Sequence, residues 1–185
     1  MTVPEQDSSF YPTLWHATVA LVVQFTGASI PLATNALSMS ISAFIWPAAI
    51  LFFARPFYRA TIPNILAAGI LAAAFSAFPY RLFAWGILYP NLLSVALLPI
   101  VLGFLHLALR HHQLHSTARI GALWIAFAGS LGAATLAHPN AILSVAALAA
   151  PLLVVVAREN FRRFGRTPIS WWRFAGVCIA LLVGI

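Results

Sequence analysis

Residues 90–109 read PNLLSVALLPIVLGFLHLAL, a run without a single Asp, Glu, Lys or Arg. At a rise of about 1.5 Å per residue such a segment forms a helix long enough to span a hydrocarbon core of about 30 Å. Comparable stretches lie at 33–54, 63–78, 118–137 and 140–157, and another covers 171–185, where the sequence stops amid apolar residues. The expected fold is an all-α integral membrane protein with about six transmembrane helices, the last of which looks truncated. The apolar run 14–26 is shorter and ends at Gly27 and the Ser29-Ile30-Pro31 break, so it reads as an interfacial or re-entrant helix. Residues 1–13 then form a polar leader outside the cytoplasm and 14–185 one helical membrane domain. A true crossing by 14–26 would instead place the leader inside.

Composition supports the same solvent. The 185 residues are 62% hydrophobic and 7% charged, with a mean hydropathy of +0.94, whereas a soluble domain carries about a quarter charged residues. A net charge of +7 and a pI of 11.2 suggest nucleic acid only if the basic residues cluster on one exposed face; here they are dispersed between apolar runs, and nucleic acid is excluded as a partner. The lone Cys178 rules out an intrachain disulfide. The acidic, base-free start MTVPEQDSS lacks the positive region of a secretory signal.

Arginines set the expected orientation, because Lys and Arg in short loops stay cytoplasmic. Arg55 and Arg59 follow the first long span, Arg110 and Arg119 flank the next basic loop, and Arg158, Arg162, Arg163, Arg166 and Arg173 fill the last. These loops alternate with two others, leaving Arg81 alone on the outer face of a cell-membrane protein.

Several patterns are explained by packing. Ala118, Ala122, Ala126, Ser130 and Ala134 make a small-residue stripe that admits a neighbouring helix. Pro47, Pro99 and Pro151 interrupt spans and are expected to kink them. His111 and His115 stand one turn apart, a spacing that suits a metal, but without a nearby carboxylate or thiol they read as part of a basic loop facing lipid headgroups. No metal or cofactor is expected. Residues 158–173 read as an interfacial collar of Arg with Phe161, Phe164, Trp171 and Trp172.

The outer face carries the functional signal. Leu88-Tyr89-Pro90-Asn91 and Ala137-His138-Pro139-Asn140 enter their helices almost identically. Pro at the first helical position accounts for the helix starts. It leaves unexplained the ring group before each Pro and the amide after it, so Tyr89, Asn91, His138 and Asn140 share one membrane depth. An external leader adds Tyr11-Pro12 and Trp15-His16. Arg81 lies among Tyr80, Phe83, Trp85 and Tyr89. It reads either as an arginine snorkelling to water or as a phosphate binder, for which the guanidinium fork is suited.

The segments Phe10-Tyr11-Pro12-Thr13-Leu14-Trp15-His16-Ala17, Trp85-Gly86-Ile87-Leu88-Tyr89-Pro90-Asn91-Leu92-Leu93 and Ala137-His138-Pro139-Asn140 resemble a family of large actinobacterial multi-spanning membrane proteins. That family is similar in architecture to the GT-C glycosyltransferases, which take sugars from polyprenyl-phosphate carriers on the outer face. The resemblance covers most of the chain, but family members are several times longer, with earlier spans and an acidic external loop that this sequence lacks. It implies a fragment of such a protein, an external leader and a re-entrant first helix.

Two function classes follow as expectations. In a cell-envelope glycosyltransferase, Arg81 holds the phosphate of a polyprenyl-phosphate sugar, and His16, Tyr89, Asn91, His138 and Asn140 bind sugar hydroxyls before transfer to an envelope glycan acceptor. In a transporter or lipid-handling protein without catalysis, the same groups line a permeation path. Span interiors nearly free of ionisable residues, with Gln24 and His106 the nearest cases, favour the first. The acids Glu5, Asp7 and Glu159 offer no evident base: Glu159 is expected on the cytoplasmic side, paired with Arg158, Arg162 and Arg163, and the other two sit in the leader.

Overall fold

Apolar sequence in lipid leaves the backbone to satisfy its own hydrogen bonds, and helices are the way it does so. The computed structural model describes residues 12–59, 61–74, 77–84, 88–110 and 117–164, the side chains of 160–164 excepted, and every regular element among them is helical. In chain order these are α1 (Leu14–Thr26), α2 (Ile30–Ser40), α3 (Trp46–Ala54), α4 (Ile62–Ala74), α5 (Tyr80–Ala84), α6 (Tyr89–Leu109), α7 (Thr117–Ala137) and α8 (Asn140–Phe164). A π-turn over Ile41–Ile45 joins α2 to α3, and a 3-10 turn over Arg55–Phe57 closes α3.

Four stretches among the described residues are long and apolar enough to cross a membrane: Ile30–Phe57, Tyr89–Leu109, Thr117–Ala137 and Asn140–Glu159. They correspond to the expected spans at 33–54, 90–109, 118–137 and 140–157. Within the expected span at 63–78, α4 has 13 residues, about 20 Å at the helical rise. Residues 77–79 form a turn before α5 begins at Tyr80. Pro79 accounts for this, since a residue preceding proline is pushed out of the helical region; a hydropathy run records the apolar residues and not the turn within them. The expected span at 171–185, Cys178, His111 and His115 lie outside the described residues.

Packing falls into two apolar clusters that share α6. One gathers Trp15, Val19, Ile41, Phe78, Leu92 and Ala96; the other gathers Leu98, Val101, Leu105, Ala134, Ala141 and Val145. Gly103 permits the approach of α3, because a Cβ there would overlap the Phe52 ring. The small-residue stripe of α7 serves helix contact over its second half only: Ala134 is buried and Ala126 and Ser130 half-buried, while Ala118 and Ala122 are exposed.

The prolines are absorbed rather than avoided. α6 and α8 continue through Pro99 and Pro151. Before Pro47 the backbone widens, and the Trp46 N–H reaches back to the Ile41 carbonyl, five residues away, so the proline's missing donor falls beside a local π-turn.

Contacts between helices define two ends. At one, the Trp15 and Tyr89 rings stack with centroids 5.0 Å apart and planes inclined by 5°, and the buried Ser94 hydroxyl donates to the Ala134 carbonyl over 3.1 Å. At the other, the Phe57 and His106 rings lie 4.8 Å apart and Arg110 pairs with Glu159. The α2–α3 rod ends beside His106, and α1, which precedes it, starts beside Tyr89. Its exit is set by Gly27, whose φ of 69° is left-handed and whose N–H closes onto the Val23 carbonyl at 2.8 Å. Such a corner favours glycine.

Candidate functional site

At the Tyr89 end, the beginnings of α1, α6 and α8, the end of α7 and the short α5 converge. Pro90 pre-sets the first turn of α6, placing Tyr89 at its head and Asn91 in the first turn. Trp15, which is 2% exposed, covers the Tyr89 ring and carries its neighbour His16, an exposed residue, to this end. Leu82 of α5 packs against the same cluster and brings Arg81, also exposed. The turn from α7 to α8 supplies the rest. The Asn140 N–H donates to His138 Nδ1 over 3.3 Å, while the His138 N–H donates to the Ala134 carbonyl and the Ala141 N–H to the His138 carbonyl, each over 3.0 Å. The His138 ring thus caps the start of α8, a role usually taken by Ser, Thr, Asp or Asn. Its Nδ1 is engaged, so a ligand would meet Nε2.

All the residues singled out from sequence, His16, Arg81, Tyr89, Asn91, His138 and Asn140, therefore belong to one end of the bundle. Among the described residues Arg81 is the one arginine there; Arg55, Arg59, Arg110, Arg119 and Arg158 belong to the other. The residue that ties the group together is Trp15. Its signal was the aromatic pair Trp15-His16 following Tyr11-Pro12, but nothing in the spacing identified Tyr89 as its partner.

Beside this end lies an apolar groove of about 550 Å³. Trp46 and Ile50 of α3, Ala68, Leu71 and Ala72 of α4, and Leu82 of α5 line it. Trp46 is fixed on both sides: its Nε1–H donates to the Ala72 carbonyl at 2.8 Å, and its ring lies 4.2 Å from that of Phe78.

At the opposite end the side chains of Arg162 and Arg163, expected with Arg158 to hold Glu159, lie outside the described residues. Glu159 pairs with Arg110, whose Nη2 donates to both carboxylate oxygens at 2.6 and 2.7 Å. The reason is that α6 and α8 run side by side, so an interhelical partner is reached across the interface. One turn before Arg110, His106 is fully buried, and neither of its ring nitrogens finds a hydrogen-bond partner among the described residues. Among those residues no three of His, Cys, Asp and Glu are grouped to hold a metal ion.

A family model described as a family of unknown function, DUF6541, matches residues 1–185. No curated protein matches the chain, and no solved structure does.

Proposed function

The chain belongs to the DUF6541 family, and on that premise we propose that it is part of a membrane-embedded, GT-C-like glycosyltransferase of cell-envelope assembly that binds a lipid-phosphate sugar at its Arg81 end. The observation that supports this reading most is the gathering of Arg81, His16, Tyr89, Asn91, His138 and Asn140 at one end of the bundle. An arginine fork takes the phosphate, while the amides, the phenol and the imidazoles offer hydroxyl partners to a sugar. The Arg81 end faces outward in this reading, with the other arginines in the cytoplasm; α1 lies at the outer interface. An envelope glycan is the acceptor, and the base comes from outside residues 1–185. Glu159 is committed to Arg110 at the far end, so this chain alone is expected to bind donor without turning it over.

The test is binding of a polyprenyl-phosphate analogue to the purified chain in lipid nanodiscs. Arg81→Ala should abolish binding and Arg81→Lys should keep part of it, because charge survives while the fork is lost; wild-type affinity in Arg81→Ala would end the phosphate role. Sidedness is checked by cysteine labelling in a Cys178→Ser background. A cysteine at position 84 should react in intact cells, and one at 116 only after the inner face is opened.

A second reading, a multi-pass transporter or lipid-handling protein without catalysis, draws on His106. A buried imidazole with no hydrogen-bond partner among the described residues is the kind of intramembrane ionisable group that marks a transport path.

A further inference from the structure

We propose that His106 is a proton-binding site that moves the Glu159 carboxylate between two partners on α6: Arg110 while the imidazole is neutral, and His106 itself once it holds a proton. The inference needs neither reading given above, because it concerns the end of the bundle away from Arg81.

The imidazole is the unexplained group of that end. It is fully buried, and neither Nδ1 nor Nε2 has a hydrogen-bond partner among the described residues. Leu102, Leu105 and Ala108, buried around it on α6, are apolar, so packing does not call for a polar ring there. A neutral imidazole in this position gives up the hydrogen bonds that water would supply. An imidazolium would fare worse as placed, with two N–H donors and no acceptor. The described arrangement is therefore that of the neutral ring, and a charged one needs an acceptor brought to it.

Glu159 is the acceptor at hand. His106 and Arg110 are four residues apart, which places them on one face of α6 within about 6 Å of helix, and the bond from Arg110 to Glu159 shows that this face meets α8. The charges of Arg110 and Glu159 both act on the ring. The turn after α3 brings the Phe57 ring; Arg55 in that turn and Arg119 in the first turn of α7 are exposed.

The ion pair leaves room for the exchange. A single nitrogen, Nη2, reaches both carboxylate oxygens, whereas the fork common for arginine engages two nitrogens. Its Nε is buried without a hydrogen-bond partner among the described residues. A carboxylate accepts about four hydrogen bonds, so each Glu159 oxygen keeps a lone pair. With side chains 34% and 44% exposed, the pair touches water, and His106 lies one turn deeper. A proton from that water that adds to a ring nitrogen breaks no bond in the chain and places a second cation beside Arg110. Arg110 can then turn to water while His106 cannot, and an unpaired buried charge is the costlier of the two, so Glu159 passes to His106. A step of one helical turn between two stops is among the ways packed helices switch.

The test uses the full chain in lipid nanodiscs at about pH 8 and about pH 5, across which imidazoles commonly charge. Arg110→Ala should lower the unfolding temperature by up to about 4 °C at the higher pH and by less than about 1 °C at the lower, where the pair has been released. In a His106→Gln background the deficit should persist at both. The 15N shifts of the ring, assigned by the signals that His106→Gln removes, should pass from a neutral to a protonated pattern over the same interval. Glu159→Gln should weaken that protonation about tenfold by removing the acceptor. A deficit that disappears equally in both backgrounds would assign the effect to Glu159 itself and overturn the proposal. So would a His106 ring that stays neutral at the lower pH, or one that charges as readily in Glu159→Gln as in the wild type.

Discussion

Two helices of identical length, α6 and α7, are both apolar enough to cross a membrane, yet 67% of the spanning window of α6 is buried against 11% for α7. Length and hydropathy identify a span without locating it in the bundle. What separates the two is the distribution of small and polar residues. α6 presents Ser94, Ala96, Gly103, His106 and Ala108 to its neighbours, all of them buried. On α7 the glycines at 121, 129 and 132 have no atom within 4 Å of where a Cβ would stand, and Ile125 is 74% exposed. Without a hydrophobic force between helices in lipid, close backbone approach and a few hydrogen bonds decide which helix becomes the hub.

Gly103→Leu is expected to strike hardest at this contrast, costing about 2–3 kcal/mol by driving a side chain into Phe52, read as a fall in unfolding temperature of the purified protein in detergent. An unshifted transition would mean that α3 does not approach α6 there. Arg110→Ala comes next. Its pair with Glu159 has side chains 34% and 44% exposed, so screening holds the loss to about 1 kcal/mol or less, and raising the salt concentration should shrink the difference between variant and wild type. Ser94→Ala removes the bond to Ala134, for which about 0.6 kcal/mol is typical between membrane helices; a double-mutant cycle with Gly103→Ala would show whether the two contacts on α6 act independently. Gly129→Leu on α7 should be neutral within about 0.5 kcal/mol, because nothing stands near its Cβ position. A loss as large as that of Gly103→Leu would reveal a partner covering the open face of α7.

The sequence made the long helices legible because an apolar run of bilayer length has few other uses, and the expected boundaries at 90–109 and 118–137 lie within a residue of α6 and α7. Within 63–78 the sequence carries two signals: Phe78-Pro79 reads as apolar and as a turn at once, and hydropathy sees only the first. At the candidate site, the repeated entries Tyr89-Pro90-Asn91 and His138-Pro139-Asn140 pointed to one depth because proline fixes where each helix begins. Trp15 against Tyr89 and Arg110 against Glu159 were hidden, since each joins helices far apart in sequence and no local pattern encodes which faces meet. The groove was hidden for the same reason, its walls coming from α3, α4, α5 and α6 together.

The π-turn at Ile41–Ile45 makes one rod address two audiences. An extra residue in a helical turn advances the phase of everything beyond it by about 100°. Before the turn, α2 faces α1; after it, α3 faces α4 and α6. A uniform helix would carry a single stripe and would have to choose between those neighbours. Deleting one residue within Ile41–Ile45 would straighten the phase and swing Trp46 away from the Ala72 carbonyl to which it is bonded, so the cluster around Trp15 and the groove depend on a register shift of one residue.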